Sequence, residues 1–292
     1  PMLNPTATLT TVHRQGEGAV LDFATAVRQG RAAERKFWSD RSNIGGDLKF
    51  DRFAKLRDIA GWALNGKKLN PDRQFLTFTH AIRVPLIRMI REKQGLSPTM
   101  LAVGDKILIT RNTTSEEIGQ WRNGEQFTVV RVEPHGRLSE LMKTPVYKVW
   151  PDTRTPTDNN YMVLAPGAFD YHTGKKTKRK GGKWDMKEGE GFFEFWKPLY
   201  RKKGPQALKL SKKEREELEK LVRTRTPQAT FGHVQTVHKA QGSEWPEVAY
   251  VMGRLVPAWR RSQDPEKRKK AQQLVYTAAT RARKGLHLFL KD

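Results

Sequence analysis

Near Ser97-Pro98 the spacing of apolar residues changes, and after Pro227 it changes back. A chain whose hydrophobic period switches twice is constrained to fold as one pattern interrupted by another. Before the first switch, Val20, Phe23, Ala24 and Val27 share a helical face that Gly30 ends. Residues 50–64 repeat that period with Phe50, Phe53, Ala60, Ala63 and Leu64, which predicts a second helix. "RQFLTFTH" (73–80) reads as a buried strand, and a third helix is predicted from near Pro85 to Gly95. After the second switch come strands "TFGHVQTV" and "EVAYVMG", then a helix opened by Asp264-Pro265 and running to about Lys284, then a closing strand "LHLFLK". The fold class predicted is α/β, with residues 1–97 and 228–292 forming one sheet.

The interruption, residues 98–227, has a different grammar. "DKILITR", "EQFTVVRVE", "PVYKVWP" and "NYMVLAP" are short β-branched and aromatic runs, and Asn123-Gly124 is a turn pair ahead of the second. They predict a small inserted β-barrel. Residues 172–191 are too polar and glycine-rich to bury a core and read as a basic loop. Ser211 and Glu214 form a capping box that opens a helix with only a narrow apolar stripe of Leu218, Leu221 and Val222, so that helix is expected at the periphery.

Charge narrows the partner. The 292 residues carry 55 Lys and Arg against 31 Asp and Glu, a formal net charge of +24. A polyanion is the expected partner, and nucleic acid fits better than a membrane, because the basic residues are spread over many segments instead of one amphipathic helix. No run approaches the roughly 18 apolar residues of a membrane span. The opening "PMLNPTATLT" lacks the basic-then-apolar order of a secretory signal, and the absence of cysteine excludes disulfides and thiolate metal sites. A reducing, cytoplasmic setting is the expectation.

Two dense stretches carry the chemistry. In "TVHKAQGSEW" (236–245) a strand end presents Thr236, His238 and Lys239, followed by Gln241, Gly242 and Glu244. Hydroxyl, imidazole, ammonium and amide together suit phosphate oxygens on one side and a nucleotide sugar on the other. In "LVYTAATRARKGL" (274–286) a small-residue helix face ends in Arg281, Arg283 and Lys284. Basic residues at a helix C-terminus suit the macrodipole, which accounts for Arg283 and Lys284; Arg281, on the inward-packing segment, is the planar cation able to reach a triphosphate. Trp121, Trp150 and Trp184 offer stacking surfaces for bases, although tryptophans of a small barrel are more often core.

These stretches resemble motifs V and VI of superfamily 1 helicases, and "LTTVHRQGEGAVLDFATAVRQG" resembles motif IV. "LTFTHAIR" resembles the adjoining DNA-contacting strand, with His80 where that family usually has Asn. "GDKILITRN…NGE" and "FWKPLY" resemble the superfamily 1B RecD-like and phage Dda-like helicases, in the C-terminal motor half. The resemblance implies a RecA-like second motor domain with an inserted SH3-like barrel, belonging to a 5′-to-3′ ATP-dependent DNA helicase. It implies Arg14 and Arg281 as arginine fingers, Gln15, Gly242 and Glu244 at the nucleotide, and Thr79, His80, Thr236, His238 and Lys239 on single-stranded DNA.

ATP and Mg²⁺ would be held mainly by an N-terminal RecA-like domain, in the same polypeptide or a separate subunit. The Gly-Lys pairs at 66, 174 and 182 are followed by Lys, Lys and Trp, so no phosphate-cradling loop ends here in Lys-Ser or Lys-Thr. The chain reads as truncated, and alone it is expected to be inactive as an ATPase. The competing reading is a non-enzymatic, basic single-strand-binding protein built on a helicase half; a third is docking of replication or recombination proteins on the barrel.

Overall fold

The computed structural model describes residues 18–30, 46–97, 100–153, 159–169, 190–201, 208–253 and 263–291, with the backbone alone for 190–194. Two compact units emerge. The first holds residues 1–59, 70–78 and 235–292, and the second holds 60–69 and 79–234. Arg14, Gln15, Trp184 and nearly all of the basic loop at 172–191 lie outside the described residues.

In chain order the described elements begin with α1 (Ala19–Arg28), β1 (Leu48–Phe53), β2 (Arg73–Thr77) and α2 (His80–Gln94). Next come β3 (Lys106–Ile109), β4 (Thr113–Ser115), β5 (Gly119–Trp121), β6 (Gln126–Pro134), α3 (Gly136–Met142), β7 (Tyr147–Pro151) and β8 (Met162–Leu164). Then come α4 (Glu190–Tyr200), α5 (Lys212–Arg225), β9 (Ala229–Phe231), β10 (Val234–Thr236), β11 (Trp245–Gly253), α6 (Pro265–Ala279) and β12 (Ala282–Lys291); the short helices Leu56–Ile59, Ala60–Ala63 and Pro166–Phe169 and the hairpin of Leu64–Asn65 with Lys68–Leu69 lie between these elements. Among these residues no helix is long and apolar enough to cross a membrane.

The first unit is built on a sheet of order β1-β12-β11-β2-β10. Its described ladders are parallel: Leu48 lies opposite Leu286, Val248 opposite Leu286, and Val251 opposite Thr77. Central parallel strands are covered on both faces, which explains the uninterrupted burial of Val248, Ala249, Tyr250 and Val251. Helix α1 buries the Val20, Phe23, Ala24 and Val27 stripe, and α6 adds Ala271, Val275 and Ala278 to the same core. Small residues on α6 let its axis come close to the sheet. The Asp47 carboxylate accepts from the backbone N–H groups of Ala19 and Val20 at 3.1 and 3.3 Å, satisfying the first turn of α1.

Three sequence expectations change here. Residues 48–53 form a strand, and the helix expected over 50–64 is confined to the short helical turns Leu56–Ile59 and Ala60–Ala63. Phe50 and Phe53 mimic a helical i, i+3 pair, but parallel pairing with β12 overrides that local signal. Helix α2 begins at His80, five residues before Pro85, and tolerates the proline inside its second turn at the cost of one backbone bond. Helix α6 starts at Pro265 with Asp264 as its cap, as expected, yet ends at Ala279; Arg283 and Lys284 belong to β12, where they are exposed.

The second unit contains an antiparallel sheet of order β8-β7-β6-β3-β9. All four expected runs are strands, and the β4-β5 hairpin is added. Gly124, at φ 96°, takes the third position of the Arg122–Glu125 turn, closed by the Glu125 N–H on the Arg122 carbonyl at 3.1 Å. The Ser211 hydroxyl accepts from the Glu214 N–H at 3.2 Å, so the cap of α5 stands. Trp121 and Trp150 are 5% and 1% exposed, which makes them core residues and not base-stacking surfaces. "TFGHVQTV" splits at Gly232-His233: β9 pairs antiparallel with β3, while β10 joins the parallel sheet.

Two buried arginines of α2 organise this unit. Arg83 donates to the carbonyls of Val234 and Phe231 at 2.9 and 2.7 Å and to the Thr230 hydroxyl at 2.9 Å. Arg91 pairs with the Asp105 carboxylate and donates to the Ser97 and Met100 carbonyls. Burial pulls the Arg91 guanidinium down to about 10, so it keeps its charge at neutral pH.

His233 is enclosed in the same cluster, with Nε2 3.8 Å from Asp105 Oδ1. Burial, then the charges of Arg91, Lys106 and Arg83, hold its imidazole well below the usual histidine range. The folded protein therefore refuses a proton that the unfolded chain accepts near pH 6.5. The stability held by the neutral imidazole is complete above that value and is lost as pH falls from it towards the folded value. Melting from about pH 7.5 to about 5.5 is expected to show a fall of up to about 1.4 kcal/mol per unit from this residue. His233→Gln should flatten that part of the profile; identical slopes in both proteins would refute the assignment.

Candidate functional site

The first unit brings the two dense stretches together at the amino ends of its central strands. Trp245 opens β11 opposite Ala282, the first residue of β12, and the Trp245 N–H donates to the Arg281 carbonyl at 3.0 Å. Residues separated by more than thirty positions thus share one corner. Ahead of it, Ala240 to Ser243 form a turn closed by the Ser243 N–H on the Ala240 carbonyl at 3.1 Å.

Gly242 occupies the third turn position with φ 89°, a left-handed value that suits glycine, and no atom lies within 4 Å of where a Cβ would stand. The glycine serves conformation here and leaves open space above the backbone. Gly242→Ala is therefore expected to lower unfolding free energy by about 1–2 kcal/mol from strain alone. Urea unfolding measures this, and an unchanged midpoint would mean the turn is not left-handed. Glu244, next to that open backbone, is exposed.

Arg281 is 6% exposed. Its Nε and Nη1 donate to the carbonyls of Thr277 and Ser243 at 3.3 and 3.2 Å, and Nη2 to the Thr280 hydroxyl at 3.2 Å. Its fork thus joins the C-terminal turn of α6, where a cation suits the unsatisfied carbonyls, to the Gly242 turn. The sequence reading expected a guanidinium available for a phosphate; the structure shows one that also locks two motif segments together. Ser243 escaped that reading because it acts through its backbone carbonyl, which leaves no side-chain signal.

The other expected residues fall elsewhere. Thr236 ends β10 and is 7% exposed, while His238 is exposed and Lys239 half-buried in the turn that follows. The Val237 N–H donates to the Thr77 carbonyl at 3.0 Å, so β10 and β2 finish at one edge, the carboxyl ends of the parallel strands. Residues 237–244 therefore connect a carboxyl-edge position to an amino-edge one. In the second unit Thr79 is the N-terminal cap residue of α2, its carbonyl accepting from Ile82 and Arg83, and His80 is exposed in the first turn.

For a nucleotide, the residues fit a sugar better than a triphosphate: open backbone at Gly242 and an exposed carboxylate at Glu244 suit hydroxyl groups. Among the described residues no group of three His, Asp or Glu is placed to hold a metal ion.

No curated protein matches the chain. Among solved structures, a Pif1 helicase from Bacteroides in complex with ADP-AlF3 and ssDNA is 13% identical with a TM-score of 0.41, covering 96% of this chain and 51% of that one. A Bacteroides Pif1 bound to ssDNA is 12% identical with a TM-score of 0.41, covering 95% and 50%. A Pif1 helicase from Candida albicans is 10% identical with a TM-score of 0.36, covering 96% and 55%. The chain spans about half the length of each. Residues 231–289, which contain both dense stretches and the strands that carry them, match the family described as the UvrD-like helicase C-terminal domain.

Proposed function

We propose that this chain is the C-terminal motor half of an ATP-dependent DNA helicase of the superfamily 1B, RecD-like/Dda-like type. One observation carries the reading: the segment similar to a UvrD-like helicase C-terminal domain is the segment in which Arg281 is bonded to the Gly242 turn. Residues 1–97 and 228–292 act as a RecA-like domain, and residues 98–227 as an inserted SH3-like barrel.

An N-terminal RecA-like partner domain, joined or separate, supplies the phosphate-cradling loop and the residues for Mg²⁺. Bound there, ATP would supply the phosphoanhydride bond whose hydrolysis drives movement, and Mg²⁺ would neutralise charge on its phosphates. This chain's residues do the rest: the Gly242 backbone and Glu244 meet the sugar, with Gln15 assigned to the same nucleotide. Arg281 and Arg14 place positive charge where negative charge builds on the transferred phosphoryl group. Thr236, His238 and Lys239, with Thr79 and His80, hold the backbone of single-stranded DNA without reading its bases, as movement along any sequence requires; the 5′-to-3′ direction rests on the resemblance alone.

The test is reconstitution. A matching Walker-containing domain mixed with this chain should show ATPase stimulated by single-stranded DNA, and neither part alone should. No stimulation with any such domain would refute the motor reading. A second reading, a non-enzymatic single-strand clamp, draws support from the engaged state of Arg281, whose three donor nitrogens already rest on protein oxygens. A clamp would bind DNA and lend nothing to ATPase.

A further inference from the structure

Helix α6 carries a charge pattern that its own fold opposes. Lys267, Arg268, Lys269 and Lys270 are consecutive and exposed in its first two turns. Cations there face the positive end of the helix dipole and one another, so neither local electrostatics nor packing accounts for them. Asp264 relieves only part of this, capping the Glu266 and Lys267 N–H groups and lying 3.4 Å from Lys267 Nζ.

A groove lies beside this turn. It encloses about 630 Å³, with Arg28, Arg268, Lys269, Gln272, Gln273 and Tyr276 among its lining. Its floor is fixed, because Gln272 Nε2 donates to the Val27 and Arg28 carbonyls at 2.7 and 2.8 Å and ties α6 to the end of α1. Among the described residues no carboxylate lines it. Three cations, the Gln273 amide and one phenol ring therefore line a single concave surface.

Its place in the unit is informative. Helix α6 leads into the amino end of β12, so its first turns lie towards the opposite, carboxyl edge of the sheet. That is the edge at which β10 ends with Thr236.

We propose that the groove between α1 and α6 binds the phosphodiester backbone of a nucleic-acid strand, through Arg28, Arg268 and Lys269, with Tyr276 stacking on a base. An acidic peptide would also satisfy the cations, but the phenol ring beside them suits a sugar-phosphate strand with exposed bases. The site is separate from the Arg281 corner and does not depend on the motor reading.

The test uses the full chain, a fluorescein-labelled 20-nucleotide oligo-dT and anisotropy at several salt concentrations. Arg28→Gln/Arg268→Gln/Lys269→Gln is compared with Lys212→Gln/Lys213→Gln/Lys220→Gln, which removes the same formal charge from exposed positions of α5. Losing three phosphate contacts should reduce the slope of log affinity against log salt by about 2 and weaken binding by roughly tenfold to a hundredfold. The α5 triple should change affinity less than about threefold, as expected for charges outside the path. Equal weakening by both triples, or by neither, would overturn the groove. So would binding of a 20-residue oligo-glutamate that depends on the groove when oligo-dT binding does not. A wild-type chain that binds no strand at all would sink the DNA partner as well, whereas an unchanged groove triple sinks this site alone.

Discussion

Arg91→Leu is expected to destabilise the second unit by about 3–5 kcal/mol, because it leaves the Asp105 carboxylate charged and enclosed. Both side chains are 0% exposed, so water cannot replace the lost partner. The substitution also strips a donor from the Ser97 and Met100 carbonyls and the cation from above the Phe231 ring, which lies 4.2 Å from the guanidinium carbon. Asp105 additionally accepts the Ala102 N–H at 2.7 Å, so Asp105→Leu orphans a backbone donor as well as Arg91.

The informative measurement is the cycle. Arg91→Leu/Asp105→Leu should be more stable than the sum of the single losses predicts, by roughly 0.5–3 kcal/mol, since the double variant buries no lone charge. Urea unfolding followed by tryptophan fluorescence reports this unit through Trp121, Trp150 and Trp196, all buried within it. A loss below about 1 kcal/mol for Arg91→Leu would mean the pair is hydrated and the cluster is not what fixes α2. Arg91→Lys, retaining charge without the fork, should fall between the wild type and Arg91→Leu.

The contrast between these buried arginines and the rest of the chain marks what a sequence can announce. The double change of period was visible, because strands with alternating or continuous apolar runs and helices with a four-residue stripe leave different spacings. The capping residues Ser211 and Asp264 were visible too, since a cap is a local act of one side chain on nearby N–H groups. Residues 48–53 misled, for their strand character comes from a partner more than two hundred positions away and not from Lys49 or Asp51. Arg83 and Arg91 sit on a stripe that looks solvent-facing in sequence. Only the folded chain shows that carbonyls and a carboxylate await them. The corner of the candidate site was legible through its side chains, and its central bond, Arg281 to the Ser243 carbonyl, was not.

On the motor reading, Arg281→Ala in the reconstituted protein should lower the DNA-stimulated kcat for ATP by on the order of a thousandfold. The structure makes that number ambiguous unless a second effect is separated from it. Arg281 links Thr277 to Ser243, and losing these charge-assisted bonds should itself cost about 2 kcal/mol of stability. A loosened Gly242 turn would weaken nucleotide binding, which appears in KM, whereas a missing charge at the transferred phosphoryl appears in kcat. The split between kcat and KM, read in both Arg281→Ala and Arg281→Lys, divides the two. An ammonium keeps the charge and reaches one oxygen, but it cannot bridge two segments as the planar fork does. If Arg281 acts on the phosphoryl group, both variants lose kcat by more than about a hundredfold at a temperature where circular dichroism shows them folded, with oligo-dT affinity unchanged. If it only braces the corner, KM rises, kcat returns on cooling and Arg281→Lys resembles Arg281→Ala. That second pattern would leave the clamp reading as the better account of this chain.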